Sequence, residues 1–402
     1  MDGRRSRTLV AIGAVTGAVL LVGGVVGMVD GAGSGPPRPG GDDTGGAVAA
    51  PTTTTWEVGT ATPVDAAAFV ARQDVMTFGS ATTAAGDVAT VWGEQGGPRY
   101  PDAPAPVWAL ALRPADGPEV TLLLPGSDRP PALLPYGDGF LLADQDSGAL
   151  TAVDVDGGTT QPAETGAFGV AAGDVAVVTP QRDAVRVFSP ERDAVQTLPR
   201  PDVDALGSAA VTGDGTIVAT WSRFEGAPTT DRGAEAGVAT WDGRRWDVVE
   251  LDRTPPSGSG LGASTTSGTV AAAGRHVVAT TAESVEASAV RTIWTSDDGG
   301  ATWEQQDRTP FPATLVDVAT TAVGTVVGTG VPADLARDGI VRLPAGGPAS
   351  GVAGPELMSS TDGDRVLWWA GDALWGRGVD GDGLWRSADD GRAWTAVPPA
   401  GR

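Results

Sequence analysis

The chain contains no cysteine and no lysine, and histidine occurs once, at His276. Without Cys there are no disulfides, thiolate nucleophiles, zinc ribbons, iron–sulfur clusters or lipidated N-terminal cysteine. A single His excludes a multi-histidine metal site and leaves one imidazole base at most. All 27 basic residues are Arg, against 50 acidic ones, and the net charge of −23 argues against a nucleic-acid partner. Tyrosine is nearly absent as well, with Tyr100 and Tyr136 alone. What is present in excess is Gly, at 59, and Pro, at 31, together with 13 Trp. That composition predicts many tight turns rather than long helices. A length of 402 residues accommodates two or three ordinary domains, or one large all-β domain with appendages.

Residues 8–29 carry no charge, follow Arg4, Arg5 and Arg7, and end at Asp30. As a helix this run would extend roughly 33 Å, enough to cross a hydrocarbon core of about 30 Å. A cleaved signal has a shorter apolar region and a small-x-small site, for which Gly31-Ala32-Gly33 is the one candidate. The expectation is an uncleaved signal-anchor over 8–29, with residues 1–7 as a cytoplasmic tail and everything beyond outside the cytoplasm. Residues 30–56 are rich in Gly, Pro and Thr and read as a flexible linker. The residues after position 7 hold 24 Arg and 49 acids, a net charge of −25. An anionic lipid surface repels such a domain, which suits a stalked module.

From residue 57 to 402 the chain is a succession of short alternating or β-branched runs broken by Gly, Asp and Pro, among them Val88–Trp92, Phe140–Ala143, Val185–Phe188, Thr216–Thr220 and His276–Thr280. This is the pattern of antiparallel sheet. Two segments share an outline: Ile293-Trp-Thr-Ser-Asp-Asp-Gly-Gly-Ala-Thr-Trp303 and Leu384-Trp-Arg-Ser-Ala-Asp-Asp-Gly-Arg-Ala-Trp394. Ala239-Thr-Trp-Asp-Gly-Arg-Arg-Trp246 is a shorter relative. In each, Ser/Thr and Asp can bond backbone amides, Gly supplies positive φ, and the closing Trp covers the turn.

At these residues the sequence resembles the Asp-box, or bacterial neuraminidase, repeat, Ser/Thr-x-Asp-x-Gly-x-Thr-Trp. Ser296, Asp298, Gly300, Thr302 and Trp303 match it fully. Ser387, Asp389, Gly391 and Trp394 match it with Ala393 in place of Thr. The resemblance implies a structural loop between the two outer strands of a β-propeller blade, with nothing catalytic in the motif itself. Four weaker turns, Arg113–Gly117, Asp154–Gly158, Ser189–Asp193 and Leu343–Gly347, each follow a short apolar strand. With Thr240, Ser296 and Ser387 they recur about every 46 residues, the length of a four-stranded blade. The expectation is an all-β fold, a β-propeller of seven blades, with six or eight also compatible.

Sialidases carry the same repeat, and the resemblance extends to Pro98-Arg99-Tyr100-Pro101, a partial match to their Phe/Tyr-Arg-x-Pro signature with Arg99 as substrate clamp. Those enzymes also require a Tyr nucleophile in the later blades, and no Tyr follows Tyr136. Asp154 with Asp156, and Asp380 with Asp382, fall short of a calcium loop. His276 lacks a nucleophile context, and Trp368, Trp369, Trp375 and Trp385 suit packing between blades. No catalytic residue, metal ligand or cofactor is assigned. The reading is a membrane-anchored extracytoplasmic scaffold binding an envelope protein or glycan; the alternative is a sialidase-like exo-glycosidase.

Overall fold

The computed structural model describes residues 63–94, 107–124, 127–225, 233–254, 264–285, 288–306, 315–321, 324–329, 340–344, 350–352, 355, 367–370, 372–378, 383–389 and 391–402. The expected cytoplasmic tail, membrane span and linker lie outside them. No helix among the described residues is long and apolar enough to cross a membrane.

Among the described residues there are seven four-stranded sheets. Blade 1 comprises Val75–Thr82, Val88–Glu94, Trp108–Arg113 and Val120–Leu124. Blade 2 comprises Ala132–Tyr136, Gly139–Ala143, Leu150–Asp154 and Thr159–Thr160. In blade 3, Val175–Val178, Val185–Ser189 and Ala194–Thr197 are joined at the edge by Ala163–Glu164. Blade 4 is Ala205–Val211, Ile217–Glu225, Gly233–Trp241 and Trp246–Thr254, and blade 5 is Ser264–Ala273, His276–Val285, Ser288–Ser296 and Glu304–Gln305. Blade 6 is Leu315–Thr321, Gly324–Thr329, Ile340–Pro344 and Ser350–Val352, and blade 7 is Leu367–Ala370, Ala373–Arg377, Leu384–Ser387 and Thr395–Val397.

The sheets pack in cyclic order. Apolar clusters join blades 1 and 2, 2 and 3, 3 and 4, 4 and 5, and 7 and 1. The first strands of blades 5, 6 and 7 lie against one another in succession and complete the ring. The fold is a β-propeller with the first strand of each blade innermost. A sheet covered on both faces needs a continuous apolar run rather than strict alternation. Val88–Trp92, Trp108–Leu112 and Gly139–Ala143 are accordingly buried at every position. Burying a side chain such as Phe140 contributes about 1.5–3 kcal/mol.

Near the centre the blades are also joined by hydroxyls. The Thr220 Oγ1 donates to the Gly268 carbonyl at 2.9 Å, the Ser267 amide donates to Ser222 Oγ at 2.7 Å, and the Val270 amide to Ser208 Oγ at 2.7 Å. These bonds follow from register shifts in the first strands of blades 4 and 5, between Leu206 and Ala209 and between Ser267 and Val270. A Cβ on Gly207 would sit 2.6 Å from Thr220 Oγ1, so only glycine lets that bulge approach its neighbour.

Two features differ from the sequence reading. A two-turn helix, Pro63–Val70, precedes blade 1 and buries Ala66, Phe69 and Val70; Pro63 at its first position and Ala66-Ala67-Ala68 favour it locally. In blade 3 the turn Ser189–Asp193 joins the second and third strands, not the two outer ones. The chain after Thr197 reads Leu198-Pro199-Arg200-Pro201, and proline cannot donate to a ladder. The outer position is filled instead by Ala163–Glu164, which arrives from blade 2 and pairs parallel with Ala194 and Val195. The turns after Arg113, Asp154, Trp241, Ser296 and Ser387 do join third and fourth strands; that after Leu343 is flanked by such strands, with residues 345–349 outside the described ones.

Candidate functional site

In a meander, successive turns alternate between the two ends of the sheet. Turns between first and second strands therefore share one face with those between third and fourth, and the opposite face receives the second-to-third hairpins.

The first face is stitched by hydroxyl–carboxylate turns. In blade 5, Ser296 Oγ donates to Asp298 Oδ1 at 2.8 Å and accepts the Gly300 amide at 2.8 Å. Asp298 Oδ1 accepts the Ala301 and Thr302 amides, both at 2.9 Å, and Oδ2 accepts the Thr302 hydroxyl at 2.6 Å. Trp303 closes the turn through Nε1 to the Gly300 carbonyl at 3.0 Å. The Thr302 hydroxyl, ahead of the amide and Ser296 bonds, lowers the Asp298 carboxyl to about 2. In blade 7, Ser387 Oγ donates to Asp389 Oδ1 and accepts the Gly391 amide, both at 2.8 Å, and Trp394 Nε1 donates to the Gly391 carbonyl at 3.0 Å. Asp389 is also held below its ordinary value, first by the Ala393 amide and then by Ser387. Thr83 with Asp87 and Thr179 with Asp183 repeat the hydroxyl-to-carboxylate bond at first-to-second turns, at 2.6 and 2.8 Å. His276 belongs to this face, its Nδ1 2.5 Å from Asp297 Oδ1. Beside it, Arg275 reaches Asp214 of blade 4 at 3.6 Å.

On the opposite face the ends of the blade 4 strands bring three charges into one row. Arg223 stands opposite Glu235, and Glu235 opposite Arg253, across adjacent strands. Glu235 is buried, with Oε2 3.4 Å from Arg223 and Oε1 bound by Arg253. Arg253 also pairs with Glu250 at 3.0 Å, and Arg223 lies 5.5 Å from the Trp221 ring centre and donates to the Asp202 carbonyl. Asp252 accepts the Thr281 hydroxyl of blade 5 at 3.1 Å, and Trp294 Nε1 donates to that same hydroxyl at 3.3 Å. A carboxylate with a guanidinium on each oxygen is a specific, rigid arrangement. It ties three adjacent strands together.

Arg99, the expected clamp, and Asp380 with Asp382 lie outside the described residues. Asp154 is raised by partial burial and then by Asp156, Asp138 and Asp193, while burial, ahead of Asp154, Asp138 and Asp193, pushes Tyr136 up to about 12. Such a group of like charges opposes adding a further anion there. Among the described residues no cluster of His, Asp and Glu has the arrangement of a metal site. Trp368 and Trp375 are buried in the joint between blades 7 and 1, where Trp368 Nε1 donates to Thr82 Oγ1 at 2.9 Å. The Arg223–Glu235–Arg253 row is absent from the sequence reading because separations of 12 and 18 residues signify nothing until the hairpin registers are known.

No protein-family model and no curated protein matches the chain. Among solved structures, the β-propeller domain of the Trilobed protease from Pyrococcus furiosus is 8% identical with a TM-score of 0.48, covering 82% of this chain and 97% of that one. The Hadza microbial sialidase Hz136 is 13% identical with a TM-score of 0.37, over 81% of this chain and 66% of its own. A thermostable family-43 glycoside hydrolase is 10% identical with a TM-score of 0.35, over 73% and 96%. All three are remote likenesses.

Proposed function

We propose that this chain is a membrane-tethered, extracytoplasmic β-propeller that binds an envelope protein or glycan without turning it over, and that the Ser296 and Ser387 turns are Asp-boxes. The observation that carries the binding reading is the Arg223–Glu235–Arg253 row. A glycosidase that recognises an acidic sugar needs guanidiniums facing an open site, and the two guanidiniums of this row are each paired with an oxygen of Glu235. Such a ring presents a broad surface held by packed blades, which suits a protein or glycan partner. The tether rests on residues 8–29 behind Arg4, Arg5 and Arg7. The net charge of −25 beyond the first seven residues favours a basic or neutral partner and an association that weakens with salt.

The test runs residues 1–402, in detergent, against a panel of fluorogenic glycosides, beside crosslinking in intact cells at two ionic strengths. The expected result is no turnover and a defined crosslinked partner that is lost at high salt. Turnover abolished by a single Asp or Glu substitution would establish the sialidase-like alternative. For the tether, a reporter fused after Arg402 should be active only outside the cytoplasm, and the mature N-terminus should precede residue 8.

A further inference from the structure

We infer that residues 398–402 are a self-ligand: blade 1 carries a built groove for a Pro-Pro-Ala-Gly-Arg peptide, and the chain's own residues 398–402 occupy it as the latch that closes the ring. Among the described residues, blades 1 and 7 are each formed from consecutive strands of their own, with no strand exchanged across their joint. Closure of a propeller nonetheless requires those two sheets to be held together, since a parted ring exposes two packing faces.

The bonds across the joint are reciprocal. From blade 1, Arg113 donates to the Pro398 carbonyl at 2.8 Å and to the Pro399 carbonyl at 3.4 Å. The Trp92 indole N–H donates to the Ala400 carbonyl at 2.8 Å, and the Ala400 amide returns a bond to Thr90 Oγ1 at 3.2 Å. The Gly401 amide donates to Glu119. Arg402 then lies over the Trp92 ring, 4.5 Å from its centre, and donates to the carbonyls of Val70 at 3.3 Å and of Arg72 and Val75, both at 2.8 Å. A guanidinium stacked on an indole and spread over three main-chain carbonyls is a recognition geometry that an ammonium cannot reproduce.

The groove is also shaped. Ala400 is fully buried in the cluster that holds Phe69, Val70, Trp92 and Ala111 of the blade 1 side with Trp368 and Trp375 of blade 7. Gly401 has φ of +100°, and a Cβ there would sit 2.7 Å from Val70 Cγ1 and 3.0 Å from both Ala111 Cβ and Trp92 Nε1. The position demands glycine on conformation and on space. The groove therefore selects a buried small residue, a left-handed glycine and an arginine, in that order.

The test compares the full chain with one ending at Val397 and with the single substitutions Arg402→Ala and Gly401→Ala. Thermal unfolding and hydrogen exchange are read for each, with Arg392→Ala as a charge-matched control on the exposed side of blade 7. The expected result is a Tm lowered by on the order of 5 °C on truncation and by less for each substitution. Exchange should rise in blades 1 and 7 ahead of blades 3 and 4. Synthetic Pro-Pro-Ala-Gly-Arg, added at about 1 mM, should restore both for the truncated chain, as a ligand bound only by the folded state does. If the truncated chain does not fold, Arg402→Ala carries the same two readouts. Truncated and Arg402→Ala chains indistinguishable from the full chain overturn the inference. So does a loss spread evenly over all seven blades, or one that the peptide leaves unchanged.

Discussion

The turns at Ser296 and Ser387 are built alike, and among the positions where they differ one side chain touches the aspartate. In both, a buried serine hydroxyl bonds an Asp and a glycine amide, and an indole caps the glycine carbonyl. The first has Thr302 where the second has Ala393, and only in the first does a side-chain hydroxyl reach the second carboxylate oxygen. The common part is therefore sufficient to form the turn. The threonine adds a bond to a turn already closed, and it is the largest single cause of the low Asp298 value.

That comparison is broken most severely at the carboxylate. Asp298→Ala removes the acceptor of two amides and two hydroxyls, and is expected to cost about 1–2 kcal/mol by urea unfolding, with Asp389→Ala costing about half as much. Glycine comes next. Gly300 and Gly391 have φ of +95° and +82°, so alanine at either is expected to cost about 1–2 kcal/mol. At Gly300 a Cβ would also lie 3.2 Å from Thr240 Oγ1 and Val218 Cγ2 of blade 4.

Exchanging the residue at the Thr302 and Ala393 position sharpens the contrast. Thr302→Ala should cost roughly 0.5–1 kcal/mol and raise the Asp298 value, while Ala393→Thr should lower that of Asp389, both followed by carboxyl NMR titration. The smallest effect is the pH dependence. Asp298 is lowered from 3.8 to about 2. Its stabilisation is then fully present above pH about 4 and disappears as pH falls toward about 2. The group is partly exposed, so solvent screening keeps the change small. Melting curves of Thr302→Ala against the parent between pH 5 and 2 should converge at the acid end.

The strands and outer turns were legible because their physics is local: apolar runs for sheets covered on both faces, and Ser, Asp and Gly where amides need caps. The edge strand of blade 3 was not, since Ala163–Glu164 is two exposed residues whose place is decided by the prolines after Thr197. Glu235 reads as one acid among 50 until hairpin register sets it between Arg223 and Arg253. Pro398–Arg402 likewise reads as the tail of a last blade, and its bonds to Trp92 span more than 300 positions.

Blade 3 bears on how such a ring can be rearranged. A propeller assembled from self-contained repeats can be duplicated, shortened or circularly permuted at any junction between repeats. Here the junction between blades 2 and 3 is not a clean boundary, because Ala163–Glu164 belongs to the sheet it precedes by a full first strand. New termini opened between Glu164 and Val175 would detach that strand from the segment that completes its blade. The corresponding cut between blades 4 and 5 would leave both sheets whole, so modularity in this ring is a property of individual junctions.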